Sequence, residues 1–283
     1  MTYLDLNKIK EIFELAVKED IGDGDITTSA IFRDFKNVRA DLLCKENGII
    51  AGLEVIKLIT ENFLNNVEFF SFYSDGYEIH SGDFIGTFNG DVREILKYER
   101  ILLNILQRMS GVATLTNKFV NQVKGTKAKI LDTRKTIPGW RYLDKLAVKI
   151  GGGENHRFGL YDMFLIKDNH IFAAGGITQA INLCKDYNKI HKSNFKIEVE
   201  VKNLLELKEA IENGVDRVML DNFSIDSIKD AVKLVNGKVE IEVSGGVTLD
   251  TIREIAECGV DYISVGAITH SARALDISLE IIE

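Results

Sequence analysis

From about Val123 onward, short β-branched runs alternate with amphipathic helical patterns, and the polar residues closing the runs recur at a near-constant interval. The runs are Lys129–Asp132, Met163–Lys167, Lys196–Val201, Asp216–Asp221, Val239–Ser244 and Asp261–Gly266. Their closing positions fall at 132, 167, 200, 221, 244 and 266, and the last four are 21, 23 and 22 residues apart. Parallel strands cannot be joined by a tight turn and need a crossover, usually a helix, so this rhythm predicts a parallel sheet of βα units. The intervening helices are legible. Leu204, Leu207, Ala210 and Ile211 share one face before Asn213-Gly214, and Ile225, Ile228, Ala231, Val232 and Val235 share another before Asn236-Gly237. Each ends in turn residues suited to a helix C-terminus. The expected fold class is therefore α/β, with a βα barrel in the second part of the chain.

The first hundred residues follow another pattern. Leu6 to Glu19 has a helical period, whereas Val38–Cys44, Val67–Tyr73 and Asp83–Gly90 read as strands, which makes an α+β domain. Val92 to Val123 is a long helical pattern, and Ser110-Gly111 within it predicts a break at the domain boundary. The tail from Ala272 to Ile281 reads as an amphipathic helix packing back on the first domain. The expected domains are thus residues 1–111, 112–268 and a C-terminal helical segment, 269–283.

Charge narrows the function. Over 283 residues the formal net charge is −8, yet between Lys129 and His170 eight Lys or Arg meet five Asp or Glu. That stretch carries +3 and the remainder −11. A basic focus in an acidic chain suggests one small, highly charged substrate and argues against a nucleic-acid surface. No window approaches the ~18 consecutive apolar residues of a membrane span, and Met1–Asn7 lacks the regions of a signal peptide, so the expected location is cytoplasmic. Cys44, Cys184 and Cys258 are far apart without metal-type spacing and read as reduced thiols.

In a βα barrel the chemistry collects at the C-terminal rim, where polar strand ends meet solvent. The rim here carries Asp132 running into Arg134-Lys135, then Lys167-Asp168, Glu200, Asp221, Ser244-Gly245-Gly246 and Gly266. Arg134 and Lys135 precede Pro138-Gly139, which suits cations on a short rigid loop; solvated surface charge is the plainer alternative. His156-Arg157 follows three glycines and offers an imidazole beside a planar fork for a carboxylate, against the alternative of a structural histidine. Lys167 closes an apolar strand and faces an anion, the rim, or a salt bridge to Asp168 or Glu200. Glu200 and Asp221 close neighbouring strands and can coordinate hydrated Mg2+, hydrogen-bond sugar hydroxyls or neutralise the cations. Glu198 shares the parity of Glu200, and Glu242 that of Ser244, which places one or both in the same network. The small residues at 244–246 and 266 fall where barrel loops bind phosphate through backbone N–H groups. Gly151–Gly153 lacks a dinucleotide fingerprint, and Ile21–Thr28 lacks a calcium loop's closing Glu, so the latter reads as a turn and helix cap.

Several segments taken in order are similar to the quinolinate phosphoribosyltransferase family: Glu19–Thr28, Glu99–Gly111, Asp132–Thr136, Gly151–Arg157, Leu165–His170, Leu220–Asn222 and Ser244–Gly246. The resemblance covers essentially the whole chain. It implies an N-terminal α/β sandwich domain, an open TIM-like βα barrel, and a homodimer whose partner completes each barrel mouth, with Arg100 reaching across. It further implies that Arg134, His156, Arg157, Lys167 and Arg100 bind quinolinate. Lys135, Glu200 and Asp221 would be catalytic, holding phosphoribosyl pyrophosphate and its Mg2+, with Glu200 and Asp221 at the metal. Ser244, Gly245, Gly246 and Gly266 would form the phosphate rim. Ile137-Pro138-Gly139-Trp140 departs from the commoner pattern of threonine before the proline and a smaller apolar residue after the glycine. Two rivals are a relative from molybdate-transport loci acting on another base, and a noncatalytic phosphoribosyl-binding barrel. The complete cationic set counts against the first, and the retention of both cationic and acidic halves of the site against the second.

Overall fold

Alternation of apolar residues builds the sheets. A computed structural model describes residues 4–282. In chain order the first elements are α1 (Leu6–Asp20), α2 (Ile26–Ile31), β1 (Asn37–Cys44), β2 (Gly48–Ile49), α3 (Leu53–Phe63), β3 (Val67–Ser71), β4 (Glu78–Ile79), β5 (Phe84–Asp91) and α4 (Val92–Gln122). There follow β6 (Lys129–Leu131), α5 (Arg141–Ile150), β7 (Phe164–Ile166), α6 (Asp168–Ala174), α7 (Ile177–His191), β8 (Ile197–Val201) and α8 (Leu204–Glu212). The chain continues through β9 (Arg217–Asp221), α9 (Ile225–Val235), β10 (Glu240–Ser244), α10 (Ile252–Glu257), β11 (Tyr262–Ser264), α11 (Ala267–His270) and β12 (Ile277–Ile282).

The chain divides into two compact units. One runs through Asn117 and takes in Thr136–Gly152 and the stretch from Ile268 onward; the other comprises Lys118–Lys135 and Gly153–Ala267. The first unit contains an antiparallel sheet in the order β12-β1-β5-β3 and a small β2-β4 pair. The second holds six strands in the order β6-β11-β10-β9-β8-β7, whose recorded pairings are all parallel. Its two ends, β6 and β7, do not pair, so the barrel is open as expected.

Within the parallel sheet, Val199, Val218 and Ile241 stand in register, as do Val201, Leu220, Val243 and their neighbours on the same face. These side chains are almost wholly buried, as are Leu207, Ala210, Ile228, Ala231 and Val235 of the intervening helices. Fully burying one Val or Leu side chain contributes roughly 1.5–3 kcal/mol, so this face fixes strand parity. The opposite parity carries Glu198, Glu200, Arg217, Asp221, Glu242 and Ser244.

The structure departs from expectation in three places, for identifiable reasons. Helix α4 is continuous through Ser110-Gly111. A Cβ on Gly111 would lie 2.0 Å from the Arg273 carbonyl oxygen, so this glycine permits close approach of the tail instead of breaking the helix. Ser110 Oγ donates to Ala51 O and accepts from Ala51 N, which uses its hydroxyl in packing. The tail itself is strand β12, not a helix, paired antiparallel with β1 from Ile277–Cys44 to Ile282–Arg39. Residues 136–152, expected with the barrel, group with the first unit. There α5 is anchored by the buried Asp144, which accepts from Arg108 Nε at 3.1 Å, while Arg108 also donates to the carbonyls of Thr269 and Ala272.

Candidate active site

All the expected site residues except Arg100 lie in the second unit. Arg100 sits on α4 in the first, with its side chain 59% exposed and Glu99 4.0 Å away. Lys167 follows β7 and donates from Nζ to Glu200 Oε2 at 2.6 Å; its side chain is 46% exposed and that of Glu200 10%. The salt-bridge alternative for Lys167 is therefore realised with Glu200. Asp168 instead pairs with Lys202, at 3.2 Å.

Arg134 is exposed and Arg157 partly buried. Burial, followed by repulsion from Arg134, depresses the Arg157 guanidinium below its ordinary value. An anion bound between them would relieve that repulsion. Lys135 lies exposed on the same loop, its backbone N–H donating to Thr133 Oγ1 at 3.0 Å. Asp132 is fully buried and holds the glycine-rich loop. Its Oδ1 accepts the His156 backbone N–H at 2.8 Å, and its Oδ2 accepts Asn155 Nδ2 at 2.7 Å.

Asp221 closes β9, and its Oδ2 accepts Asn222 Nδ2 at 3.0 Å. Asn222 has φ +57°, in the left-handed region, and its backbone N–H donates to Ser244 O at 3.0 Å. A Cβ on Gly245 would stand 2.2 Å from Asn222 Oδ1, and Gly245 itself has φ +94°, so only glycine fits there. Asp221, Ser244 and Gly245 thus form one cluster. Gly246, at φ +60°, is exposed, and Gly266 follows β11.

Beneath the rim lies a layer of buried charge. His156 is 8% exposed, and its Nε2 lies 3.1 Å from Glu198 Oε2 and 3.5 Å from Glu242 Oε2. Arg217 Nη1 donates to Glu242 Oε2 at 3.0 Å, its Nε and Nη2 donate to Glu240, and its guanidinium lies 3.9 Å over the Tyr262 ring. Burial is the main cause pushing the Glu198 and Glu242 carboxyls upward, and the proximity of Glu198 adds to it for Glu242, which reaches about 8.

The chain has relatives among known proteins. The quinolinate phosphoribosyl transferase C-terminal domain profile matches residues 112–280, and the N-terminal domain profile matches residues 25–110. The chain belongs to the quinolinate phosphoribosyltransferase family. It is 44% identical over 289 residues to the chloroplastic nicotinate-nucleotide pyrophosphorylase [carboxylating] of Arabidopsis thaliana, covering 96% of this chain and 82% of that one. It is 41% identical to the probable nicotinate-nucleotide pyrophosphorylase [carboxylating] of Bacillus subtilis, over 99% and 95% of the two chains. The solved nicotinate-nucleotide pyrophosphorylase of Francisella tularensis superposes with a TM-score of 0.93 at 41% identity, covering 99% of this chain and 98% of that one. No described helix is long and apolar enough to cross a membrane.

Three supporting residues escaped sequence reasoning. Asp132 was read as a rim acid, although its buried carboxylate clamps a loop. Asn222 carried a usable signal, since asparagine after a strand-closing acid tolerates the left-handed conformation. Arg217 also carried one, as a charge on the parity of Asp221 needs a partner when buried.

Proposed function

We propose that the protein transfers the 5-phosphoribosyl group of phosphoribosyl pyrophosphate to quinolinate with decarboxylation. The products are nicotinate mononucleotide, pyrophosphate and CO2, as in de novo NAD synthesis. Membership of the family over both domains supports the reaction class. The observation that carries the site is the Lys167–Glu200 pair at 2.6 Å at the strand ends, with Arg157 half-buried and its backbone N–H held by His156 Nδ1. Quinolinate carries two adjacent carboxylates, and fixed guanidinium forks discriminate a dicarboxylate from a monocarboxylate that leaves a charge unmatched. Arg134, Arg157 and Lys167, with His156 innermost and Arg100 from the partner of a homodimer, make up the proposed cradle.

Glu200 and Asp221 close the paired strands β8 and β9 and present hard carboxylate oxygens, a donor set that fits Mg2+. They would hold the ion, which when bound neutralises charge on the diphosphate. Ser244, Gly245, Gly246 and Gly266 would offer the phosphate backbone donors and space without side chains. The bond from C1′ to the pyrophosphate oxygen breaks as that from the ring nitrogen to C1′ forms, and Lys135 stabilises the charge of the departing group. The ring is then cationic and accepts the electron pair of the 2-carboxyl bond as CO2 leaves; C2 takes up a proton. No covalent nucleophile is needed, so positioning supplies most of the rate. The three cysteines are free thiols, in keeping with work in the reducing cytoplasm. Incubation with quinolinate labelled in its 2-carboxyl group should release labelled CO2 only when phosphoribosyl pyrophosphate is present. Absence of release with active control enzyme in parallel would refute the assignment.

A further inference from the structure

The rim chemistry makes no use of the buried acids Glu198 and Glu242, which stand at 0% exposure. Burying a carboxylate is costly, and Arg217 engages one of them directly, through Glu242. Both Glu198 oxygens and Glu242 Oε1 lack an aligned hydrogen bond among the described residues, so the pair has acceptor capacity to spare. What faces that capacity is His156 Nε2, 3.1 Å and 3.5 Å from the two carboxylates. On the other side of the ring, Nδ1 accepts the backbone N–H of Arg157 at 2.7 Å. An imidazole nitrogen that accepts carries no proton, so the ring proton belongs on Nε2, facing the acids.

This geometry decides between two occupants of the cluster. A divalent metal on Nε2 would drive the ring proton to Nδ1, against the Arg157 N–H donor. It would also add two positive charges beside Arg217 in a space closed to water. A ring N–H between the carboxylates meets neither objection.

We propose that Glu198 and Glu242 are positioning residues that hold His156 as its Nε2–H tautomer, so that Nδ1 anchors the Arg157 backbone and aims its guanidinium at the substrate dicarboxylate. The inference rests on the reading of Arg157 as a quinolinate ligand. Besides its place in the cradle, His156 then acts on quinolinate through Arg157, whose backbone N–H its Nδ1 accepts. Asp132 completes the clamp by accepting the backbone N–H of His156.

The test is an imidazole 15N–1H correlation on the labelled, substrate-free full-length enzyme, with His156→Gln identifying the resonance among the five histidines. The wild type should show neutral Nε2–H at His156. Glu198→Gln and Glu242→Gln should keep it, because an amide carbonyl still accepts. Glu198→Leu and Glu242→Leu should lose it and raise the KM for quinolinate by about 10- to 100-fold, the range seen when a supporting partner of an oriented histidine is removed. The KM for phosphoribosyl pyrophosphate should stay within about twofold in the same variants, at most about 0.4 kcal/mol. A merely structural role would move both constants together. An Nδ1–H tautomer in the wild type, a parallel rise of both KM values, or one equivalent of tightly bound transition metal would overturn the proposal. If the leucine variants do not fold, the wild-type tautomer and the glutamine variants still decide it. Failure of the wild type to consume quinolinate would sink the proposed reaction, while the tautomer measurement would stand by itself.

Discussion

Glu200 and Glu198 lie two residues apart on one strand with the same parity, as do Ser244 and Glu242, yet each pair divides between two environments. Glu200 is 9% exposed and holds the exposed Lys167, while Glu198 and Glu242 are wholly enclosed with Arg217 and His156. Two residues along a strand is a step of roughly 7 Å, enough to pass from a wet rim to a dry interior. The difference teaches that charge on the rim is available to substrate, whereas charge in the layer below must be matched within the protein.

Four measurements break or sharpen that comparison. Removing a charge from the lower layer should cost stability first: Arg217→Met should lower unfolding free energy by about 3–5 kcal/mol, since the buried Glu242 loses its guanidinium partner, and denaturant unfolding reads it. On the rim, Arg157→Ala should raise the KM for quinolinate at least ~100-fold, near 2.7 kcal/mol, with a thermal midpoint close to wild type. A large midpoint drop there would erase the distinction between the layers. Next, Arg100→Ala and Arg134→Ala should each be nearly inactive, and mixing the two after subunit exchange should restore partial turnover if the partner supplies Arg100. No recovery in exchanged samples argues against a shared site.

The smallest effect concerns pH. Burial, and then the nearby Glu198, push the Glu242 carboxyl from the ordinary carboxylate range up to about 8, so the native state keeps a proton that the unfolded chain releases. The sign follows: the associated stability is present below the unfolded value and is lost as pH rises toward 8. Glu242→Gln should remove part of that decline, seen as a flatter plot of thermal midpoint against pH from 5 to 8. An unchanged slope would place the buried proton elsewhere.

Much of this was legible in the residues, for local reasons. The six strands of the parallel sheet fall within the expected runs, because β-branched alternation bounded by polar ends is a short-range signal. The rim residues followed from those strand ends. The approach of Lys167 to Glu200 was foreseeable as one of several pairings, since both close strands of neighbouring units. By contrast, Ser110-Gly111 looked like a helix break, but Gly111 serves the approach of a segment more than 160 residues later in sequence. The tail looked helical and became a strand because β1 offers it a free edge, a choice that local propensity does not encode.

By itself the sequence determined the βα rhythm, the parity of each strand and the inventory of charges at the rim, since periodicity and side-chain chemistry are properties of neighbours along the chain. Only the tertiary structure decided that Arg217, Glu198, Glu242 and His156 meet, that Asn222 braces Asp221 against Gly245, and that Arg108 belongs to a buried pair with Asp144. Those partnerships join residues 23 or more apart in most cases, and their energies depend on burial, which exists only after the sheet has closed over them.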